Sequence, residues 1–390
     1  MRTVAIAERR ARLARRHMLS PAHRAGDLLA CTDDLVCLHA TDTATTYLSL
    51  WARVGGVAVA DIDKALYADR TLVKHLCMRR TLFVFRPELF GVVQAAASDR
   101  VAGIEWRRLA KDVEQAGLFD DGTAWLAEAA EAALAGLDAL GEATSSELRA
   151  AVPLLEGSIE YAPHKSYGGR ISVGPRVLTC LSAAGEVVRS TNRAPWHMSR
   201  PAWARTSTWL GSRPEAVPER EARAELVRRW LHAFGPATLA DLKWWLGSTI
   251  TAARAALADL GAVEVAIEGA GPGYLLPDDL EPEPAVEPWA ALLPALDPTT
   301  MGWQERAWYL GDHKAQIFDS TGNGGMTAWW DGRIVGGWNQ HPSGEVYLQL
   351  LEDPGPAARA VLDAEAARLT EWLDGVYLAP RFPSPLSRAV

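Results

Sequence analysis

The clearest pattern of hydrophobic and polar positions lies in residues 219–277. Four apolar residues recur there at helical spacing and predict a helix that a Gly-Pro pair ends: Leu226, Trp230, Leu231 and Phe234. Thr238 and Thr249 are good helix N-caps and predict a second and a third short helix after them. An apolar strand, a glycine-rich turn and a second short strand then predict a β-hairpin over residues 263–276. Three helices followed by a hairpin are typical of a winged helix.

The same pattern recurs in a weaker form in residues 5–86. Helices are predicted there at about 5–18, 21–31, 44–54 and 60–69. A hairpin-like stretch, rich in apolar residues, follows at 72–85. We interpret this segment as another winged helix.

A third copy of the pattern is predicted for residues 124–190. It offers a helix at 125–140, a second helix that Thr144 or Ser145 caps, and a hairpin that ends at 185–189. Two further stretches of this region are interpreted as irregular. These are the Gly-, Pro- and Tyr-rich residues 157–174, taken as a loop, and the Trp-rich residues 194–209, taken as a linker.

The C-terminal part has a different pattern. Pro277 to Pro288 is an acidic, proline-spaced linker. Short apolar runs punctuated by glycine follow, with Asp331-Gly332 as a tight-hairpin dipeptide, and then a helix from Gly355 to Leu373. The prediction is an α+β protein in which three tandem winged helices form a concave scaffold beside a small antiparallel sheet or partial barrel. The predicted domains are 1–110, 111–215, 216–280 and 281–390.

Composition narrows the class of protein. The chain has 390 residues, of which 48% are hydrophobic and 23% are charged, and this fits a globular protein of several modules. No apolar run reaches the roughly 18 residues that a membrane span needs, and the N-terminus lacks the apolar core of a signal peptide. The four cysteines form no CxxC pair. We therefore expect a cytoplasmic monomer with reduced thiols and no membrane partner.

The charge is unevenly distributed along the chain. The net charge is −8, but residues 1–110 hold 17 Lys and Arg against 11 Asp and Glu, whereas residues 262–390 hold 7 against 19. A basic N-terminal third can meet phosphates on one face even though the whole chain is acidic. The alternative is that the asymmetry only reflects solvated surface.

A different signal lies between Leu38 and Phe85. It begins with Leu38-His39-Ala40-Thr41-Asp42, continues into an apolar-aromatic helix, and ends in Met78-Arg79-Arg80-Thr81 and Leu82-Phe83-Val84-Phe85. The stretch resembles the first winged helix of the AlkZ/YcaQ family of bacterial DNA glycosylases, which excise alkylated purines. Weaker matches in the same order extend over nearly the whole chain: Gly235-Pro236-Ala237-Thr238, Trp244-Trp245, Leu292-Leu293-Pro294, Asp297-Pro298, Asp331-Gly332-Arg333-Ile334-Val335-Gly336 and Arg381-Phe382-Pro383-Ser384-Pro385-Leu386.

The resemblance implies a catalytic site at the start of this stretch. In the family the first five residues usually read Leu-Gln-Ala-Gln-Asp, and the two glutamines position a water. His39 and Thr41 take their places here, and Asp42 matches the family's aspartate. A neutral histidine can accept a proton from water or hold it, and a carboxylate can stabilise a cation that develops on the sugar. The alternative is that His39 and Thr41 line an inactive groove.

The resemblance also implies contacts to DNA. Arg79 matches the family's Met-Arg-Gly-Thr pattern, and Arg80 replaces its glycine, so both are predicted to contact phosphates. Residues 319–325 correspond to the region where the family projects a hairpin toward DNA, which makes Ser320, Thr321 and Asn323 candidates. A surface arginine and an ordinary flexible loop are the plainer alternatives.

Two Cys-x-His pairs raise the alternative of a metal site. Cys37-Leu38-His39 and His75-Leu76-Cys77 together offer four possible zinc ligands, but the spacing within each pair is shorter than in zinc fingers. The family that the chain resembles uses no metal. We therefore predict no metal and no cofactor, with the cysteines as small buried apolar groups.

Two functions remain open at this point. One is a monofunctional DNA glycosylase that acts on bulky N7- or N3-alkylated purines in double-stranded DNA, for self-resistance to a DNA-alkylating natural product. No lysine is placed near His39 for a Schiff base, so strand nicking is not expected. The other is a non-catalytic DNA-binding protein, a regulator or a lesion sequesterer. The third helix of residues 219–277 carries a single basic side chain, Arg254, which counts against a sequence-reading regulator.

Overall fold

The computed structural model describes residues 1–161 and 168–388. Helices alternate with short strands, and none of the described sheets is closed, so the predicted α+β class is confirmed. The chain divides into two compact units. The first holds Met1–Asp63, Val84–Arg86 and the chain from Arg223 onward, and the second holds Lys64–Phe83 and Pro87–Ala222.

The first unit contains most of the helices and two sheets. Its main helices are Ile6–Arg16, Leu28–Asp34, Thr43–Arg53, Val59–Asp63, Leu239–Leu246, Ile250–Asp259 and Pro356–Leu373, together with Glu219–Phe234, which starts in the last residues of the second unit. Short helical segments lie at Pro21–His23, Ala307–Leu310, Lys314–Ile317 and Pro385–Arg388.

The elements predicted for residues 219–277 are present. Thr238 and Thr249 cap their helices by accepting backbone N–H groups from Asp241 and Ala252, each at 3.1 Å. Strand Val263–Ile267 then pairs with Gly271–Leu275, and the N-terminal strand Thr3–Val4 adds to the hairpin in parallel.

The C-terminal strands form an open meander. Ala290–Leu293, Thr327–Trp330, Arg333–Gln340 and Val346–Leu350 follow one another in an antiparallel sheet, against which helix Pro356–Leu373 packs. Asp331 and Gly332 both have positive φ, as a two-residue hairpin turn requires. Two of the apolar runs that we assigned to this sheet form helical turns instead, at Ala307–Leu310 and Lys314–Ile317, and consecutive burial of Trp308, Tyr309 and Leu310 shows no alternation.

The second unit is built from helices around one apolar core. Its helices are Phe90–Val93, Asp99–Gln115, Gly122–Leu140, Ser145–Ala151, Val173–Ala183 and Thr206–Leu210, with short segments at Lys64–Ala68, Met78–Arg80, Pro87–Leu89, Gln94–Ser98 and Pro153–Leu155. Its strands are Val73–Cys77, Ala143–Thr144, Ser158–Tyr161, Gly169–Ser172, Val187–Asn192 and Pro201–Arg205, and Thr81–Phe85 is shared with the first unit.

Three sequence interpretations in the second unit are wrong. The hairpin predicted to end at 185–189 is instead helix Val173–Ala183 followed by strand Val187–Asn192, which pairs with Pro201–Arg205, because Val173, Val177 and Leu181 are buried at helical spacing. The predicted linker contains strand Pro201–Arg205, the middle strand of a three-stranded sheet, because consecutive Ala202, Trp203 and Ala204 are all buried and give no alternation. The predicted loop at 157–174 contains a hairpin, Ser158–Tyr161 with Gly169–Ser172, which places Ile159 in the core. The rest of that loop prediction, residues 162–167, lies outside the described residues.

The acidic linker neutralises arginines of the first helix. Asp279 accepts from Arg12 at 2.7 Å and from Arg16 at 2.6 Å, and Glu283 accepts from Arg16 at 3.0 Å. Burial by itself would raise the pKa of Asp279, but the hydrogen bonds and charges of Arg16 and Arg12 lower it below its ordinary value. Part of the positive charge of the N-terminal third is thus neutralised by acidic residues within the first unit.

Candidate active site and nucleic-acid contacts

The three predicted catalytic residues lie where a two-residue strand, Leu38–His39, meets helix Thr43–Arg53. Asp42 is the N-cap of that helix, and its Oδ1 accepts the backbone N–H of Ala44 at 3.2 Å. The chain turns sharply between strand and helix, which brings His39, Thr41 and Asp42 together. His39 is 3% exposed and Asp42 9%, whereas Thr41 is half-buried.

The surroundings of His39 favour one tautomer. Its Nδ1 accepts the backbone N–H of Thr41 at 3.3 Å, so the proton of a neutral ring lies on Nε2. In that form Nε2 is a donor and can hold a water by its oxygen atom. The geometry thus suits positioning of a water better than removal of its proton.

Asp42 has a partner that the sequence did not indicate. Its Oδ2 accepts the backbone N–H of Arg381 at 3.2 Å, and the Arg381 guanidinium donates to the carbonyl of Thr41, also at 3.2 Å. Burial raises the pKa of Asp42, and the hydrogen bonds from Arg381 and Ala44 and the charge of Arg381 oppose that rise only in part. The site therefore combines a basic carboxylate with an exposed cation beside it.

Helix Thr43–Arg53 is hydrogen-bonded to a buried segment around Asp297. Thr45 donates to the carbonyl of Ala295 at 2.7 Å, and Ser49 donates to the Asp297 carboxylate at 2.8 Å. Every residue of the helix is buried. The position of the site at its N-terminus is therefore fixed by packing along the whole helix.

The C-terminal end of this helix carries a fully buried ion pair. Arg53 donates to both carboxylate oxygens of Asp297, at 2.7 and 2.9 Å, and both side chains are 0% exposed. Its other N–H groups donate to the carbonyls of His17 and Ser49 and to the hydroxyl of Thr299. All five donors of the guanidinium are satisfied, which a buried charge requires.

Two buried histidines are held in the neutral form. Burial and the charge of Arg53 lower the pKa of His17 well below its ordinary value. Burial likewise lowers the pKa of His75 from 6.5 to about 3, although a hydrogen bond with Gln94 opposes this. His75 belongs to the second unit, where its Nε2 lies 3.1 Å from both Gln94 and Ser98.

These pKa shifts predict a loss of stability in acid. The unfolded chain binds a proton at each histidine near pH 6.5 and the folded chain does not, so stability is complete above pH 6.5 and falls as the pH drops toward 3. Each histidine should contribute a slope of about 1.4 kcal/mol per pH unit. Urea unfolding as a function of pH measures it. His75→Gln should reduce the slope, whereas His341→Gln, at an exposed position, should not; equal slopes in all three proteins would contradict the assignment.

The predicted phosphate contacts Arg79 and Arg80 follow strand Val73–Cys77 and both have positive φ, 55° and 61°. A glycine adopts this conformation without strain, which accounts for the glycine of the family's pattern at the position of Arg80. Arg80 lies 2.8 Å from Glu105, a carboxylate that is 2% exposed. One task of Arg80 is therefore to neutralise a buried acid.

The loop with Ser320, Thr321 and Asn323 is organised by Asp319. That carboxylate accepts the hydroxyl of Thr321 at 2.8 Å and the side-chain amide of Asn323 at 2.9 Å, as well as both backbone N–H groups. Burial tends to raise the pKa of Asp319, and these hydrogen bonds lower it overall. Thr321 and Asn323 thus hydrogen-bond to Asp319, and Ser320 and Thr321 are both exposed.

The two Cys-x-His pairs belong to different units, Cys37 and His39 to the first and His75 and Cys77 to the second. All four cysteines are buried and reduced, and burial raises the pKa of Cys77. Within residues 1–161 and 168–388, no three His, Cys, Asp or Glu side chains are grouped so as to hold a metal ion.

Comparison with known proteins identifies the class. The family model for AlkZ-like DNA glycosylases matches residues 32–372, so the chain belongs to this family. Its fold is similar to that of Streptomyces sahachiroi DNA glycosylase AlkZ, with a TM-score of 0.74 and 20% sequence identity over 97% of this chain and 99% of that one. No curated protein matches the sequence. Among the described helices, none is long and apolar enough to cross a membrane.

Proposed function

We propose that this protein is a monofunctional DNA glycosylase that hydrolyses the N-glycosidic bond of bulky N7- or N3-alkylated purines in double-stranded DNA. The observation that carries the proposal is the cluster of His39, Thr41 and Asp42 beside Arg381, at the position where the AlkZ/YcaQ pattern has its catalytic residues. The protein would act as a cytoplasmic monomer and protect its host from a DNA-alkylating natural product.

The chemistry asks little of an acid. A purine alkylated at N7 or N3 already carries positive charge, so it takes the electron pair of the C1′–N bond and leaves as a neutral base. The sugar then carries oxocarbenium character, which the Asp42 carboxylate stabilises. His39 holds the water by donating from Nε2, the water oxygen forms the new bond to C1′, and the water proton passes to Asp42 or to solvent. Thr41 adds one hydrogen bond.

Arg381 extends the proposed site toward the DNA backbone. Its guanidinium is exposed and already anchored on the carbonyl of Thr41, so it can contact the phosphate next to the excised nucleotide. Arg79, Arg80, Ser320, Thr321 and Asn323 remain proposed DNA contacts. Of these, Ser320 is exposed, whereas Arg80 also pairs with Glu105 and Asp319 holds Thr321 and Asn323.

We also propose that the scaffold consists of three winged helices within residues 1–110, 111–215 and 216–280, followed by the C-terminal sheet unit at 281–390. In the second module the order of elements supports this. Helix Gly122–Leu140, strand Ala143–Thr144 and two helices are followed by strands Val187–Asn192 and Pro201–Arg205, with residues 193–200 as the wing.

The proposal predicts release of the modified base from N7-alkylguanine in duplex DNA. After incubation and heating in alkali, the strand should be cleaved at the abasic site, and it should stay intact without the alkali treatment because no Schiff base forms. A set of duplexes with N7 adducts of increasing size would define the substrate. Tight binding without cleavage of any adduct would instead favour the alternative, a non-catalytic DNA-binding protein, with which the small exposure of His39 also agrees.

A further inference from the structure

We propose that the outer face of helix Asp99–Gln115 binds the sugar-phosphate backbone of duplex DNA. This inference rests on the proposed function, because it names a surface that would hold the DNA while a base is released. The face carries four cations and one apolar residue, which we call the basic stripe: Arg100, Ile104, Arg107, Arg108 and Lys111.

The stripe follows from helical geometry. At about 100° per residue its five positions fall within roughly 100° of the helix circumference. All five side chains are exposed. They include the apolar Ile104 in the middle of the stripe, which is 45% exposed. The opposite face, with Leu109 and Val113, packs into the core of the second unit.

The sequence does not indicate a basic surface here, because the helix as a whole is neutral, with four acidic and four basic residues. Two of the acidic side chains, in the first and last turns of the helix, accept hydrogen bonds. Asp99 accepts the side-chain amide of Gln94 at 2.6 Å, and Glu114 accepts the backbone N–H of Gly122 at 2.9 Å. Both carboxylates therefore accept hydrogen bonds from groups outside the stripe.

The other two acids belong to an ion-pair group beneath the helix. Glu105 is buried, with Arg80 at 2.8 Å and Arg176 at 4.0 Å. Asp112 lies 3.5 Å from Arg176 and, at the longer distance of 4.0 Å, also pairs with Arg108. Folding thus places Glu105 in the interior beside Arg80 and leaves all four cations of the helix on its exposed face.

A polyanion with regularly spaced charges is the partner that suits this face. The stripe extends from Arg100 to Lys111, or about 16 Å, and duplex DNA carries one negative charge per roughly 1.7 Å of its axis, so several phosphates lie within reach. The stripe carries no Asn or Gln to read base edges, so binding should not depend on sequence. The first helix of the chain differs, because Asp279 and Glu283 already hold its Arg12 and Arg16.

The test uses the full chain and unmodified duplex DNA. Arg107→Glu/Lys111→Glu should weaken binding at least about 10-fold at low salt and reduce the slope of log K against log salt by about 2, since each lost phosphate contact removes roughly 0.9. The matched control is Lys243→Glu/Arg254→Glu, which reverses two exposed cations of the 219–277 module and should leave the slope unchanged.

Two results would overturn the inference. One is a salt slope of the stripe variant equal to that of the unaltered protein, and the other is an equal loss in the control variant. If the glutamate variant does not fold, Arg107→Gln/Lys111→Gln provides the same comparison at half the charge change. Weaker binding to phosphatidylserine vesicles with unchanged binding to DNA would assign the face to a membrane surface and refute the DNA contact. Because binding is the readout, failure here is distinct from failure of base release.

Discussion

Replacing His39 by alanine is expected to slow base release by about 100-fold or more while DNA binding stays nearly unchanged. The imidazole is tied to the backbone of Thr41 through Nδ1 and would hold the attacking water through Nε2. Alanine removes that donor, and the water then loses its position relative to C1′. Single-turnover release from N7-alkylguanine duplex measures the chemical step, and fluorescence anisotropy on the same duplex measures binding.

A matched control is His341→Ala, which removes an exposed histidine from the C-terminal sheet unit and should leave base release unchanged. His39→Gln restores the residue that the family has at this position, and it should recover part of the rate if the water is held by a donor. If His39→Ala retains the full rate on every adduct that the unaltered protein cleaves, His39 only lines the groove and the catalytic role is refuted.

Asp42 needs a variant that keeps the helix intact. Asparagine is as good an N-cap as aspartate, so Asp42→Asn can keep the cap toward Ala44, while it removes the charge and the oxygen that accepts the backbone N–H of Arg381. Base release should slow because a neutral amide stabilises an oxocarbenium poorly, whereas the thermal midpoint should change little. Thr41→Ala should have a smaller effect, since one hydroxyl hydrogen bond contributes about 1 kcal/mol. A large shift of the midpoint in Asp42→Asn would show that the residue acts through the fold.

Sequence reasoning succeeded where the determining chemistry is local. Thr238 and Thr249 predict helix starts because a cap needs only a hydroxyl and a backbone N–H three residues later. Asp331-Gly332 also predicts its hairpin locally, because a two-residue turn needs positive φ at both central positions and Asp-Gly adopts them readily. Both residues have positive φ in the structure. The helix that follows Asp42 was also predicted from neighbouring residues, whereas the strand Leu38–His39 was not, and the roles of His39 and Asp42 came from the resemblance.

Sequence reasoning failed where partners are distant or where burial removes the pattern. Arg381 contacts Asp42 across 339 positions, so no spacing rule could pair them. Strand Pro201–Arg205 was missed because both of its faces are buried and alternation disappears. The burial of Glu105 on helix Asp99–Gln115 depends on Arg80 and Arg176, which lie elsewhere in the chain. A count of charges along the sequence assigned net positive charge to residues 1–110 as a whole, but Asp279 neutralises part of it on the first helix.

The largest loss of stability is expected from Arg53→Met. Methionine removes the guanidinium and leaves the Asp297 carboxylate buried with only the hydroxyl of Ser49 and the backbone N–H of Thr299 as donors. Breaking a fully buried ion pair by removing one partner destabilises a protein by about 3–5 kcal/mol, because the remaining charge is uncompensated. Urea unfolding, followed by fluorescence of the tryptophans, should show the transition of the first unit at a lower denaturant concentration.

The chain offers a matched control in the exposed pair of Arg359 and Asp363, one turn apart on the last long helix and each 50% exposed. Arg359→Met makes the same chemical change at the surface and should cost less than about 1 kcal/mol, since solvent screens that pair. If Arg53→Met does not fold, Ser49→Ala gives a graded test, with a loss of about 1–3 kcal/mol for a buried acceptor that keeps its other partners. Equal losses in Arg53→Met and Arg359→Met would contradict the structural role of the pair.

The same variants separate stability from chemistry. Arg53 and Asp297 lie at the C-terminal end of helix Thr43–Arg53, and Asp42 caps its N-terminal end, so the pair acts on the site only by holding the helix in place. Ser49→Ala should therefore lower the free energy of unfolding while the folded protein releases base at an unchanged rate, the reverse of His39→Ala. If folded Ser49→Ala instead released base as slowly as His39→Ala, small movements of the helix would be displacing His39 and Asp42. Ser49 would then be a positioning residue.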